Sequence, residues 1–547
     1  MQITSDLVSE LQKLFENQQF SQLIFKIELL GNLDDMPNGI LMMYACAKAM
    51  SKNTSKSEYK DIARWFDKIL QSDSQNIDAY RNLIKASITA KYFNYIKKYI
   101  FNYYETNPKD NLTLECLALM HYYIGNMDDS SRFFKEYTDI CPNDTSAWIS
   151  YLGGLLYHNK LSQSEYLSEC ARFDTTVKKN TKKLSFKNSD KIRLCFLSPD
   201  FVTHPVTFFL KDVIKKIDKD KFELIALSNK SIFDHDKMTN ELKSNFSSWY
   251  DIIDKTDEQV IELTDKIKID ILIDLAGYTK KSRIRLLGSR IAPIQISWLG
   301  YCNTLGLSNV DYLISDKNMI PEDEQNFYKE KIIYMPKVFA AHSLLEDKIE
   351  IRDKNLDKEF IYGSFNNLRK ISEETFDVWS EILKQTNCKL LLRSSTHDTD
   401  ELKENVLKKF KERGVDIGQI NISNTIKNRN EHLASYNNIN IALDPFPFPG
   451  ATTSFESIYM GVPVLTLKGE SSISRFGVTI NQNLALEELI AANKEEYIQK
   501  AINFSQNKSF LNKISGNSLR NKILKSCLFN TDEFTEEFEK VLLNLIN

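Results

Sequence analysis

The chain of 547 residues has no surplus of either charge: 71 basic residues stand against 74 acidic ones, a formal net charge of −3. A protein built to coat a polyanion needs a large excess of lysine and arginine, so composition argues against a nucleic-acid binder. Cysteine is sparse and scattered. Its eight copies, at 46, 116, 141, 170, 195, 302, 388 and 527, include no C-x-x-C pair, which excludes a zinc knuckle and a secreted disulfide framework. Nowhere do about 18 apolar residues run together, so the sequence offers no membrane-spanning helix. The opening MQITSDLVSELQKLF carries acids along an amphipathic pattern and reads as a helix, not a signal peptide. Walker, G-x-G-x-x-G, H-E-x-x-H and G-x-S-x-G motifs are missing. These absences lead to the expectation of a reduced, cytoplasmic protein. What is present, 42% hydrophobic and 27% charged residues, is ordinary for a soluble chain of about three or four domains.

Up to about residue 175 the pattern is helical, and a repeat runs through it. Tyr80, Leu114 and Trp148 recur every 34 residues, as do Leu83, Leu117 and Tyr151, and Pro108 and Pro142 close successive units. Phe134 falls where a second helix packs, and a weaker unit precedes from about Met43 to Ser74. A 34-residue helix-turn-helix period with a closing proline is the tetratricopeptide pattern, although Ile84 and Leu152 stand where that pattern has glycine. Residues 1–178 are therefore expected to form a helical repeat domain. Such a solenoid holds a peptide on its concave face or serves as a prop.

After the polar linker VKKNTKKLSFKNSDK, whose basic block Lys178–Lys183 reads as solvated, the periodicity changes. IRLCFLS, FELIALS, IDILIDLAG, PIQISWLG and VDYLIS form one series of short apolar runs between helical stretches. FIYGSFN, KLLLRSS, INIALDPF and VPVLTL form a second. Apolar strands alternating with helices predict parallel sheets covered on both faces. Two doubly wound domains follow, 190–350 and 351–547, meeting near residues 340–360, with ligands expected outside the carboxyl ends of the strands.

The strand ends carry the polar residues. DPFPFPGATTSFESIYMGVPVLTL (Asp444–Leu467) breaks an apolar run with three prolines, then Gly450 and Ala451, which allow close backbone approach. Thr452 or Thr453 is expected to cap the next helix, and a helix start with hydroxyls is an anion site. Glu456, one turn in, suits sugar hydroxyls. From these residues alone a plain capped corner reads as well. GSFNNLRK ends another strand of this domain with Lys370, which suits a diphosphate leaving group, and Ser372 opens a helix. LSPDFVTHP places His204 just past the first strand as base, orienter or cap. The D-x-D triplets Asp234–Asp236 and Asp398–Asp400 read as solvated surface, not as a metal site.

In order and spacing SPDFVTHP, DLAGYTKKSR, APIQISWLGYCNT, VDYLISD, FNNLRK, LDPFPFPGATTSFESIYMGVPVLTL and KGESSISR resemble the O-linked N-acetylglucosamine transferase family. The resemblance implies tetratricopeptide repeats followed by a two-domain GT-B catalytic region. The reaction it implies is an inverting, metal-independent transfer, with no cofactor, of a sugar from UDP-N-acetylglucosamine to Ser/Thr of a protein. It places Lys370, Thr452 and Thr453 on the donor diphosphate and Glu456 on the ribose. It sets His432 beside the base, Asn367 where animal enzymes have glutamine, and His204 in the active site. Ala451 departs from the family's histidine, CNT replaces PGT at 302–304, and Tyr250 stands near a second family histidine. These departures mark a bacterial-type relative and keep GDP-fucose, UDP-glucose with asparagine as acceptor, or a catalytically silent scaffold as alternatives. The implied partner is an acceptor protein held by the repeats, flagellin or another surface protein.

Overall fold

The protein, seen in a computed structural model, is described for residues 3–546 apart from 52–53, 159, 180–183, 187–189, 344–348, 352–358, 396–397, 425 and 427. Contacts divide it into two compact units, Met1–Cys141 and Pro142–Asn547.

Among its described residues the first unit contains only helices. They are α1 (Ser5–Glu16), α2 (Phe20–Glu28), α3 (Asn38–Met50), α4 (Glu58–Ser72), α5 (Ile77–Ala90), α6 (Lys97–Thr106), α7 (Asn111–Ile124) and α8 (Met127–Ile140). The repeat fixes both their starts and their cores. Asn76 caps α5 by accepting from Ala79 N at 2.9 Å, and Asp110 caps α7 by accepting from Thr113 N at 2.9 Å. Each such cap contributes about 1 kcal/mol. Tyr80, Leu83, Leu114 and Leu117 are all buried, and the Tyr80 and Thr113 hydroxyls meet at 3.2 Å between α5 and α7.

The second unit opens with the third repeat, α9 (Thr145–Gly154) and α10 (Gln163–Thr176). Asp144 caps α9 from Ala147 N at 3.0 Å, again 34 residues after the previous cap. These helices are fastened to the α/β region. Arg285 donates to Pro142 O at 2.8 Å and to Thr176 O at 2.9 Å, and Gln163 Nε2 donates to Asn303 Oδ1 at 2.6 Å. The Tyr166 and Tyr301 hydroxyls share a hydrogen bond. In the linker Lys179 pairs with Asp174 at 2.6 Å, while residues 180–183 of the expected basic block, and most of the expected junction at 340–360, lie outside the described residues.

The first α/β domain runs β1 (Ile192–Ser198), α11 (Pro205–Lys216), β2 (Phe222–Ser228), α12 (Lys237–Lys243), β3 (Ser248–Asp251), α13 (Asp257–Ile267), β4 (Ile271–Asp274), β5 (Ile294–Ser297), β6 (Tyr312–Ser315) and β7 (Lys331–Tyr334). Its sheet is parallel with order β3-β2-β1-β4-β5-β6-β7. The second runs β8 (Ile361–Ser364), α14 (Glu373–Gln385), β9 (Lys389–Arg393), α15 (Asp400–Glu412), β10 (Ile420–Ser423), α16 (Arg429–Ala434), β11 (Ile441–Leu443), α17 (Thr452–Tyr459), β12 (Val464–Leu467), α18 (Phe476–Asn483) and β13 (Ile490–Ala491). Its order is β10-β9-β8-β11-β12-β13. The expected strands all form. Sequence reading passed over β3, β7, β10 and β13, which are short and carry few consecutive apolar residues. Helices α19 (Lys494–Gln506), α20 (Lys508–Lys513), α21 (Gly516–Leu524) and α22 (Thr531–Asn544) close the chain. α22 returns to the first domain, where Trp298 lies 4.7 Å from the Phe538 ring and Lys216 Nζ donates to Thr531 Oγ1 at 2.6 Å. This is a helical repeat region followed by two doubly wound domains, as the sequence pattern predicts.

Candidate functional site

In the second sheet the strand order reverses between β8 and β11, which pair through Ile441 and Tyr362. Loops leaving two such strands diverge and open a crevice at the reversal. Lys370 follows β8, and Asp444 to Thr453 follow β11, so topology brings these segments together.

Lys370 ends a short helical turn, Leu368–Lys370, that Asn367 Oδ1 caps by accepting from Arg369 N at 3.0 Å. Its ammonium donates to Pro449 O at 2.8 Å and lies 3.9 Å from the centroid of the Phe448 ring. Burial lowers Lys370 to about 8, and the charge of Asp444 opposes the fall. Asp444 Oδ1 accepts from Gly450 N at 3.0 Å and from Ser454 Oγ at 3.2 Å. Burial pushes this carboxyl up to about 6. The corner is pinned from behind, because Ser372 Oγ and Thr375 Oγ1 both donate to Phe446 O, at 2.6 and 2.8 Å. A Cβ at Gly450 would press on the hydroxyls of Ser454 and Thr453 and force them off Asp444 and Asn366, so glycine keeps these two hydrogen bonds in place.

Neither threonine caps α17, contrary to the sequence expectation. The cap position is Ala451, with no side-chain hydrogen bond, and Thr452 and Thr453 are the first two helical residues. The alanine side chain cannot accept from the first turn, and Ala451 O takes the N–H of Ser454 at 3.0 Å, so the N–H groups of Thr452 and Thr453 are the donors left for a ligand. Thr453 Oγ1 instead donates to Asn366 Oδ1 at 3.1 Å, which joins α17 to the segment after β8.

Glu456 lies on the buried side of α17, 3% exposed, so its charge has to be met by the protein itself. Oε1 receives Arg429 NH1 at 2.5 Å, while Oε2 receives Tyr436 OH at 3.2 Å and faces His432 Nε2 at 3.1 Å. Burial works against ionisation, but the His432 hydrogen bond and the Arg429 charge outweigh it and hold the carboxyl below its ordinary value.

In the first α/β domain, His204 caps α11 with Pro205 behind it. Its Nδ1 accepts from Val206 N at 3.3 Å, and Thr207 Oγ1 accepts from His204 N at 3.2 Å. Burial lowers its pKa while Asp200, 3.8 Å away, opposes that shift. A neutral ring accepting at Nδ1 carries its proton on Nε2, which is then a donor. Tyr250 sits in β3 opposite Leu227.

The second D-x-D triplet is solvated surface only in part. Asp398 is fully buried against Arg369, 2.8 Å away, because Arg369 turns inward just before Lys370 and needs a counter-charge. Asp236 caps α12 and accepts from Thr203 N at 2.7 Å, while Asp400 is exposed. Sequence reading passed over Asp444, Arg429, Tyr436, Asn366 and Phe448. Asp444 and Phe448 stand inside the proline-rich stretch itself, whereas no local pattern marks Arg429, which matters only through its distant partner.

Among the described residues no helix is long and apolar enough to cross a membrane. The family model for glycosyl transferase family 41 matches residues 168–350 and 350–538. A probable UDP-N-acetylglucosamine–peptide N-acetylglucosaminyltransferase SPINDLY of Solanum lycopersicum is 29% identical over 353 residues, covering 63% of this chain and 38% of that protein. The UDP-N-acetylglucosamine–peptide N-acetylglucosaminyltransferase of Caenorhabditis elegans is 22% identical over 481 residues, covering 66% and 41%. The chain thus spans about two-fifths of the length of these relatives. A mutant of the Thermobaculum terrenum O-GlcNAc transferase superposes with a TM-score of 0.79 at 22% identity, over 93% of this chain and 98% of that one, and so shares the fold. With its family model matched across both α/β domains, the chain belongs to glycosyl transferase family 41.

Proposed function

We propose that the protein transfers N-acetylglucosamine from UDP-N-acetylglucosamine to Ser/Thr hydroxyls of acceptor proteins. The observation that carries this reading is the corner where Lys370 Nζ meets Pro449 O at 2.8 Å, immediately before a helix start that no side chain caps. A diphosphate placed there meets an ammonium, free first-turn N–H groups and two threonines. The names of the relatives, which specify UDP-N-acetylglucosamine and a peptide, support this donor and acceptor.

The reaction is one displacement at the anomeric carbon, with inversion. The acceptor oxygen forms the new bond as the bond to the diphosphate breaks; its hydroxyl proton passes to water, and UDP leaves with the electron pair. Lys370 and the start of α17 stabilise the charge that grows on the departing diphosphate, which lowers the barrier more than it stabilises the bound donor. His204, donating from Nε2, orients a reacting oxygen on the opposite wall. Glu456, His432 and Arg429 hold the nucleoside end. The α9–α10 repeat and the helices before it present the acceptor chain. Incubating the purified protein with a panel of nucleotide sugars and measuring released nucleotide tests the donor assignment. UDP release from UDP-N-acetylglucosamine, abolished in Lys370→Ala, is expected. Release from GDP-fucose alone would replace the reading.

A further inference from the structure

The peptide between Pro449 and Gly450 is gripped at both ends. Lys370 donates to its carbonyl at 2.8 Å, and Asp444 Oδ1 accepts from its N–H at 3.0 Å. The same carboxylate oxygen receives the hydroxyl of Ser454, in the first turn of α17, at 3.2 Å. Asp444 is 2% exposed and lies behind the loop, away from solvent. We propose that Asp444 is a positioning residue that, through this one peptide and Ser454, holds Lys370 and the start of α17 as a single preassembled anion-binding corner. The inference rests on the reading that this corner takes the donor diphosphate.

Two physical demands point to this role. A peptide flanked by proline and glycine has few side-chain constraints, and its plane can rotate unless both its polar groups are engaged. With Asp444 holding the N–H inward, the carbonyl is directed toward Lys370, so the ammonium is stationed at the corner before any donor arrives. The second demand is charge. Lys370 sits over an aromatic ring in a largely enclosed place, and burial disfavours its charged form. A carboxylate behind the loop restores that form without standing where the diphosphate must go. When the donor binds, Lys370 exchanges Pro449 O for a phosphate oxygen, while Asp444 keeps the peptide and the helix start in place. Preorganised groups of this kind need no reorganisation during reaction.

The test uses the full chain and UDP-N-acetylglucosamine, whose diphosphate diester does not titrate near neutral pH. Calorimetric affinity of the unmutated protein should fall as pH rises through about 8, where Lys370 loses its proton. Asp444→Asn keeps an oxygen for the Gly450 N–H but removes the charge. It should move that alkaline limb to lower pH by about one unit, the low end of what a nearby opposite charge exerts. An unmoved limb in a folded Asp444→Asn protein overturns the proposal. A second measurement needs no variant. With selective glycine labelling, the Gly450 amide resonance should titrate with a midpoint near 6, as Asp444 takes up its proton. A Gly450 resonance that does not move through that range also overturns it. Absence of donor binding at every pH in the unmutated protein would instead sink the functional reading, and the Gly450 titration would still report on the grip.

Discussion

Arg429 of the second α/β domain stands with its guanidinium carbon 4.3 Å from the centroid of the Phe208 ring, one turn into the helix that His204 caps. The same guanidinium donates to Glu456 on α17. One side chain therefore ties α11 of the first α/β domain to α17 of the second, whose Phe209 and Phe455 rings also meet, 5.1 Å apart. Arg429→Ala should cost about 2 kcal/mol of stability, less than the loss of a buried ion pair's sole partner, because His432 and Tyr436 still serve Glu456. Glu456→Gln in the same background should recover part of it, since the stranded charge is gone. Thermal melts of the two single variants and the double variant measure the coupling, and simple additivity would mean that the pair is not coupled.

Lys370→Ala should weaken UDP binding by about ten- to a hundredfold, because one charge-assisted contact is worth roughly 1.5–3 kcal/mol. Turnover should fall further than affinity, since the lysine acts most on the leaving group. Calorimetry returning the unmutated affinity would remove Lys370 from the diphosphate site.

The sequence made the elements of this site legible but not their mutual contacts. Apolar runs ending in GSFNNLRK and DPFPFPGATT announced two strand ends, and the parallel pattern implied that both ends open on one side. Which threonine capped α17 was not legible, because Ala451 takes that position and Thr453 turns to Asn366, 87 residues away. Asp398 was misread for a similar reason. A triplet of acids among polar residues has the composition of a surface, and only the inward turn of Arg369, 29 residues away, explains its burial. Glu456 suited a sugar on sequence grounds, yet its burial against Arg429 and His432 arises from long-range pairings that no local window contains.

His342 gives the protein an acid-sensitive element. It is fully buried, with its ring 4.6 Å from Phe209, 5.6 Å from Phe455 and 5.4 Å from Phe529, and its Nδ1 meets Ser343 O at 2.5 Å. Burial lowers its pKa from 6.5 to about 4, opposed by the Ser343 hydrogen bond and Glu456 and assisted by Arg429 and Lys211. The unfolded chain takes up this proton first, so stability is full above pH 6.5 and declines as pH falls toward about 4. The loss attributable to this one ring is up to about 3 kcal/mol. His342→Phe should flatten that part of the profile in denaturant titrations at successive pH values, and an unchanged slope would contradict the assignment.

The boundary between the compact units predicts two different truncations. Deleting residues 1–141 leaves α9 and α10 in place and should preserve UDP affinity and a cooperative melt, while transfer to a protein acceptor falls. Deleting 1–178 strips Arg285 of Pro142, Thr145 and Thr176 and Tyr301 of Tyr166. That protein should aggregate or melt at markedly lower temperature. Equal behaviour of the two truncations would show that the third repeat does not support the catalytic region.

The central claim is tested most directly by the intact mass of a Ser/Thr-bearing acceptor protein incubated with the full chain and, separately, UDP-N-acetylglucosamine, UDP-glucose and GDP-fucose. The expected result is an added mass of one or more N-acetylhexosamine units with the first donor only, located on hydroxyl side chains by fragmentation and absent with Lys370→Ala. Addition of deoxyhexose from GDP-fucose, or of hexose on asparagine, would contradict the account.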